Sequence, residues 1–441
     1  LQTFSYVELN LLYHFSFYKR GSNYSGNRNL LEGKWERRLM RISTLSSILF
    51  SKSALHTGIF FRPNITLEHF LSNKRQSLIG LHFEKEQNNL RLHQSDSLSG
   101  NAFNFDNSKL YFKLNPKKIK LDFSYQYRRD FRAMGSFFEL QNIAQTLELN
   151  MSINRWKNQN LSFNGSFRNL KLNIPSTSPL KDENTLLGRL QYNANILNSF
   201  FATNLLYDFG TGQEQKRQFT FIEVPTGQGT HMWVDYNEDG IQQTNEFVLA
   251  VYPDQRKYAK MITPTNEYVK VNFSNFSWSA QLNPESLWSK IKDQSITQKF
   301  LSRFSNQLSM QANNRILKDA GLRAFNPFAL DFVDTTVVSS LMTLNNTLFF
   351  NRSNSHWGLD YTTTLQRSQA LLTYGVESHF SVFHLEKFRW IINRNLSFIL
   401  QGSQGKRLFD SPISDGRTHE IYYYTIAPSL NFISGGKWRL N

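Results

Sequence analysis

Residues 147–168 read L-E-L-N-M-S-I-N-R-W-K-N-Q-N-L-S-F-N-G-S-F-R. Successive side chains of an extended strand point to opposite faces. Leu147, Leu149, Met151 and Ile153 therefore share one face, and Glu148, Asn150, Ser152 and Asn154 the other. After a polar turn at 155–160, Leu161, Phe163, Gly165 and Phe167 alternate with Ser162, Asn164, Ser166 and Arg168. Two period-two runs joined by a short polar turn predict an antiparallel hairpin.

The same period recurs along nearly the whole chain. Val7, Leu9, Leu11, Tyr13, Phe15 and Phe17 alternate with Glu8, Asn10, His14 and Ser16. Residues 20–76 are less regular: strands at 35–50 and 54–70 are one reading, an irregular segment the other. Strands are expected at 77–84 and 103–114, then after a turn at 115–118 with Ile119, Leu121, Phe123, Tyr125 and Tyr127 outward. Others are expected at 185–195 and 200–209. Val269, Val271 and Phe273 change phase to Phe276, Trp278, Ala280 and Leu282, which predicts a β-bulge near Asn275. A short helix is expected within 283–298. Further strands are expected near 300–312, 340–351, 357–366, 374–384, 389–402 and 420–433.

Connection lengths add direction. Longer ones are expected near 85–102, 130–144, 174–184, 210–266, 313–339 and 403–419. Shorter ones fall near 115–118, 155–160, 196–199, 352–355, 385–388 and 434–436. The exceptions are 283–298, long for its side, and 367–373, short for its side. In an up-and-down meander this alternation gathers the long loops at one end, as in outer-membrane barrels. Strands of about ten residues cross a bilayer when tilted, whereas soluble strands average about five to six. The expected fold is an all-β, up-and-down antiparallel transmembrane β-barrel over residues 1–441, with about 16–18 strands visible. Glu8, Asn150, Asn154, Asn164 and Arg168 would face its lumen. Trp156, Trp278, Trp390 and Tyr127 would sit in an aromatic girdle.

Composition agrees. Aromatic residues reach 15%, with 38 Phe, yet the mean hydropathy is only −0.46. Alternation hides from such an average. No run of 18 apolar residues exists, so no membrane-spanning helix is expected. The absence of cysteine excludes a disulfide framework and thiolate chemistry. The net charge of +16 sits largely at turns, as in Lys117-Lys118, Arg155-Trp156-Lys157 and Lys437. That favours contact with anionic lipid headgroups over nucleic acid. The histidines form no H-x-x-x-H or HExxH pair, and His379 and His384 are five apart, wrong for one strand face. No nucleophile elbow or phosphate loop exists, so no enzyme is expected. Leu1 follows no signal peptide, and 437–441 reads as the start of a strand; the chain reads as an excerpt of a longer protein.

Inside the longest connection, 210–266, residues 235–246 match D-x-[DN]-x-[DN]-G-x5-E, the spacing of a calcium loop. Calcium takes six to eight oxygens. Asp235, Asn237 and Asp239 would supply side-chain oxygens, Ile241 its backbone carbonyl, Gln243 a direct or water-borne contact, and Glu246 both carboxylate oxygens. Gly240 stands where the chain must turn sharply. No amphipathic helix flanks the loop, so this is no paired helical sensor; weak binding is expected, which extracellular calcium near millimolar would still fill.

The segment W-V-D-Y-N-E-D-G-I-Q-Q-T-N-E-F (233–247), with Pro253-Asp254-Gln255 and 263–270, resembles a segment of large cell-surface and outer-membrane proteins of Bacteroidetes-type bacteria. The resemblance covers about residues 230–271. It bears on location more than on function. The expected function is an outer-membrane β-barrel for transport, secretion or surface assembly, with a calcium-stabilised extracellular loop. Its expected partners are outer-membrane lipid and other envelope proteins. The alternative is a secreted or surface-attached β-rich adhesion protein with a structural calcium.

Overall fold

The structure, a computed structural model, describes residues 7–173, 182–291, 293–328, 336–372, 375–410, 418–434 and 438–440. The proline-bearing loop expected at 174–184 and the turn at 434–436 fall mostly outside these residues, as does Lys437. The strands are β1 (Val7–Arg20), β2 (Tyr24–Arg37), β3 (Met40–Ser53), β4 (His56–Arg62), β5 (Asn64–Phe70), β6 (Ser77–Leu92), β7 (Phe103–Leu114), β8 (Ile119–Met134), β9 (Phe137–Ile153), β10 (Gln159–Leu172) and β11 (Glu183–Ile196). They continue as β12 (Phe201–Glu223), β13 (His231–Trp233), β14 (Phe247–Leu249), β15 (Tyr258–Leu282), β16 (Phe304–Leu317), β17 (Val337–Phe350), β18 (Trp357–Leu372), β19 (Gly375–Asn393), β20 (Leu396–Asp410), β21 (His419–Ser434) and β22 (Trp438–Leu440). Two short helices, α1 (Glu285–Trp288) and α2 (Ile296–Leu301), fill the expected helical stretch. No helix among the described residues is long and apolar enough to cross a membrane. The chain divides into two compact units, 1–188 and 189–441.

In the first unit the strand pairings among the described residues are antiparallel, and the register aligns like with like. Leu9, Trp35, Ile42, Leu67, Leu81, Leu110, Tyr125, Leu147 and Phe167 form one row across the sheet. One residue along, Asn10, Lys34, Ser43, Thr66, His82, Lys109, Gln126, Thr146 and Arg168 form the next row, on the opposite face. Register therefore separates the two chemistries, because a strand slipped by one residue would invert them. Asn150, Asn164 and Arg168 lie on the polar face, as expected, paired with Asn164, Asn150 and Thr146. That face carries cross-strand ion pairs: Arg41 with Glu36 and Glu68, and Lys109 with Glu148 at 3.0 Å.

The second unit repeats the arrangement. Leu205, Trp278, Met310, Leu344, Leu365 and Val382 make an apolar row. Ser277, Gln311, Thr343, Gln366, Ser381 and Arg407 make the adjacent polar one. Near the short turns, Trp357, Trp390, Phe398 and Leu430 align as an aromatic-rich row. Trp390 thus lies where a girdle was expected, and Trp156 is exposed in a turn. Tyr127 does not: its strand runs on to Met134.

Several boundaries differ from the sequence reading, for one recurring reason: polar residues pair as strands where they were read as loops. The arms at 85–92 and 130–144 stay in the ladder, the second turning tightly at Gly135. Cross-strand charges hold them, as in the two-pronged Arg129–Asp106 pair at 2.9 Å. The turn expected at 385–388 lies within β19, and the chain instead reverses at Arg394-Asn395. The strand expected at 35–50 is broken by a turn at Arg38-Leu39 that no glycine or proline announces; Arg38 itself takes φ 50°. The strand expected at 54–70 breaks at Pro63, whose missing N–H cannot join the ladder. These splits and two short strands within 224–257 bring the described strands to 22. Finally, β15 keeps unbroken register through Asn275, opposite Asp208 and Asn313. The shift lies at Gln215/Arg217 instead. The phase change at Asn275 reflects a change of surroundings along one straight strand: Val271 is buried and Phe273 lies under the Arg315 guanidinium at 5.4 Å.

Candidate metal centre

The connection expected at 210–266 is mostly a continued hairpin. β12 and β15 stay paired from Phe201↔Leu282 to Glu223↔Tyr258. At its tip β13 and β14 form a three-residue ladder, His231↔Leu249 to Trp233↔Phe247. A small aromatic core fastens this tip. The Phe221 and Phe247 rings stack at 4.3 Å, and Trp233 and Tyr258 pack against them. The twelve-residue loop hangs between β13 and β14, so both its ends are anchored in a ladder.

The structure brings Asp235, Asp239 and Glu246 together, with one carboxylate oxygen from each within 4.8 Å of the others. Gly240 has φ +72°, the left-handed conformation that a sharp turn here requires. Asp239 is the hub. Its Oδ2 accepts from Asn237 Nδ2 and Gln243 Nε2, each at 2.8 Å, and its Oδ1 accepts from the Ile241 N–H at 2.6 Å. Asn237 Oδ1 in turn accepts from the Asp239 N–H at 3.2 Å. Asn237 and Gln243 therefore adjoin the cluster through Asp239. The Ile241 side chain points to solvent, as a residue contributing only its carbonyl would.

Glu246 is 1% exposed. Its Oε2 accepts from Trp233 Nε1 at 2.8 Å and from the Gln243 N–H at 3.2 Å. Asp235 Oδ2 accepts from the Gly240 N–H at 2.8 Å, while its Oδ1 is buried with no partner. None of the three carboxylates forms an ion pair among the described residues. Burying a carboxylate without a counter-charge is expensive. The orphaned Asp235 oxygen and the unpaired Glu246 side chain fit a hard divalent cation with oxygen ligands. The amide donors of Asn237 and Gln243 supply partial positive charge at Asp239. A bound cation would let those amides turn their oxygens inward.

The wider setting is decided by which face meets the surroundings. In the first unit the apolar row is the exposed one: Leu9 is 66%, Leu110 51% and Leu81 46% exposed. A water-soluble sheet buries that face; a sheet in lipid presents it. Strands of 12 to 17 residues such as β6 to β10 exceed what a tilted bilayer crossing of about 9–11 needs. The sheet is built as an antiparallel transmembrane β-sheet is.

No protein-family model and no curated protein sequence matches this chain. Among solved structures it is similar to the copper transporter OprC at 7% identity and TM-score 0.33, over 92% of this chain and 65% of that one. It is similar to the siderophore receptor PirA from Acinetobacter baumannii at 10% identity and TM-score 0.33, over 98% and 75%. A third likeness is to OccK5 (OpdH) of Pseudomonas aeruginosa, at 8% identity and TM-score 0.22, over 97% and 96%. The chain spans 65% of the copper transporter's length.

Proposed function

We propose that this chain is part of an outer-membrane transport, secretion or surface-assembly barrel whose longest extracellular excursion is stiffened by calcium. The observation that carries the membrane half is the exposed apolar row facing away from a polar, ion-paired face. A soluble adhesion protein would leave that row in water. The calcium half rests on a buried Glu246 without counter-charge and a buried, partnerless Asp235 oxygen. Asp235, Asp239 and Glu246 would hold the ion directly, with Asn237, Gln243 and the Ile241 carbonyl completing its oxygen shell. The ion would tie the two ends of the loop together across the β13–β14 ladder. The resemblance of residues 230–271 to Bacteroidetes-type surface proteins supports a cell-surface setting for this excursion.

Two measurements test the two halves separately. Purified from membranes, the protein should require detergent and migrate faster unboiled than boiled; recovery in soluble form with no such shift would sink the barrel. Calorimetric titration with calcium should show saturable binding in the wild type and none in Asp239→Ala. Equal heats would end the metal assignment.

A further inference from the structure

Beside the excursion, wholly within the second unit, lies a cavity of about 740 Å³. That is the size of pockets that hold small organic molecules. Its roof comes from the excursion, through Leu249 and Lys260, and its wall from the polar face of β18 to β21. Two register rows build the wall. Ser368, His379, Phe409 and His419 form one, and Gln366, Ser381, Arg407 and Ile421 the other.

The charges in this cavity are unequally committed. Its one lining carboxylate among the described residues, Glu377, is 7% exposed and already receives Lys260 Nζ on both oxygens at 2.8 Å. Among the described residues Arg407 has no hydrogen bond or ion pair, and its guanidinium lies over the Tyr423 ring at 5.2 Å. On the same kind of face Lys109 and Arg41 each hold a carboxylate. Arg407 does not. Its planar fork matches a carboxylate or phosphate geometry. Ser381 lies directly opposite it, and Ser368 and Gln366 line the same cavity. Beyond them, Phe409 and Ile421 offer an apolar surface, with the His379 ring against Phe409 at 4.4 Å.

We propose that this cavity binds an organic anion. A carboxylate or phosphate group sits on the Arg407 fork, and a planar apolar portion lies against Phe409 and Ile421. The inference adds a solute class to the transport reading, from which it takes the polar face as the solute-facing one. It does not depend on calcium.

The test is calorimetry on the full-length protein in detergent, with benzoate as probe and benzamide as its neutral isostere. Benzoate should bind saturably and at least about tenfold more tightly than benzamide, and Arg407→Gln should remove at least about tenfold of that affinity. Equal affinities for the two probes, or an unchanged Arg407→Gln, would overturn the proposal. Inorganic phosphate displacing benzoate at equal concentration would overturn its organic part, since the apolar wall would then contribute nothing. Should Arg407→Gln lose its heat-modifiable mobility, Arg407→Lys replaces it: charge without the fork should still weaken benzoate several-fold, and wild-type affinity would overturn the proposal. Calcium heats and gel mobility are read on the same samples, so failure here is distinguishable from failure of the barrel or of the metal site.

Discussion

The sheet of the first unit and the hairpin excursion of the second use the same alternation to opposite ends. In β1 to β10 the apolar row through Leu9, Leu81 and Leu110 stays exposed, and the polar face is held by ion pairs such as Arg41–Glu68. In the excursion the apolar residues turn in on themselves, and Phe221, Phe247, Trp233 and Tyr258 make a core of their own. Even the apolar face of the second unit is partly covered. Residues 318–328 fold over it, with the Tyr207 hydroxyl donating to the Phe325 carbonyl and the Phe276 and Phe328 rings in contact at 5.1 Å. The difference teaches where the solvent changes. An apolar row left bare implies lipid; one that closes on itself implies water. One ladder, β12 with β15, runs from the first condition to the second without interruption save a single shift at Gln215/Arg217.

Substitutions can break this contrast. The largest effect is expected for Leu110→Arg, in the middle of the bare row. It should destabilise the protein in lipid vesicles by about 2–4 kcal/mol, read by urea titration. Tyr252→Arg, at an exposed site in the excursion, should be silent. If the two behave alike, the bare row does not face lipid. Lys260→Met is expected to come next. It strands the buried Glu377 carboxylate, and because Lys260 keeps partial exposure a loss of about 2–3 kcal/mol is expected. Adding Glu377→Gln should recover most of it, and no recovery would mean the pair holds nothing in place. The smallest effect belongs to Arg129→Ala. Its pairing with Asp106 is half-exposed, so less than about 1 kcal/mol should be lost despite ideal two-pronged geometry. A larger loss would show that hairpin arms beyond the apolar band are held by charge and not by the ladder.

Much of the fold was legible in residue order. The β9–β10 hairpin falls in the register that 147–168 implies, with Met151 opposite Phe163 and Asn150 opposite Asn164. The carboxylate cluster of Asp235, Asp239 and Glu246 was legible too, because its members are neighbours in sequence and Gly240 announces the turn. Where reading failed, the cause was tertiary. The arms at 130–144 and 210–223 lose the regular alternation of apolar and polar residues, yet their backbone groups still pair. Arg38 occupies a left-handed turn that glycine or asparagine usually marks. At Asn275 the phase changed because the surroundings changed, with the backbone undisturbed.

The sequence by itself determined the period, hence the two faces and the all-β class, and it determined the metal-type loop. Both are local: alternation follows from strand geometry, and the loop's donors lie within twelve residues. Only the tertiary structure decided that the loop sits on a ladder with its own aromatic core, that Glu246 is buried against Trp233, and that His379, Phe409 and His419 line one cavity with Arg407. Those residues come from three strands and meet through register alone. His379 gave no signal in the chain because its partners are chosen by which residue lies opposite, a property of pairing that no spacing along one strand records.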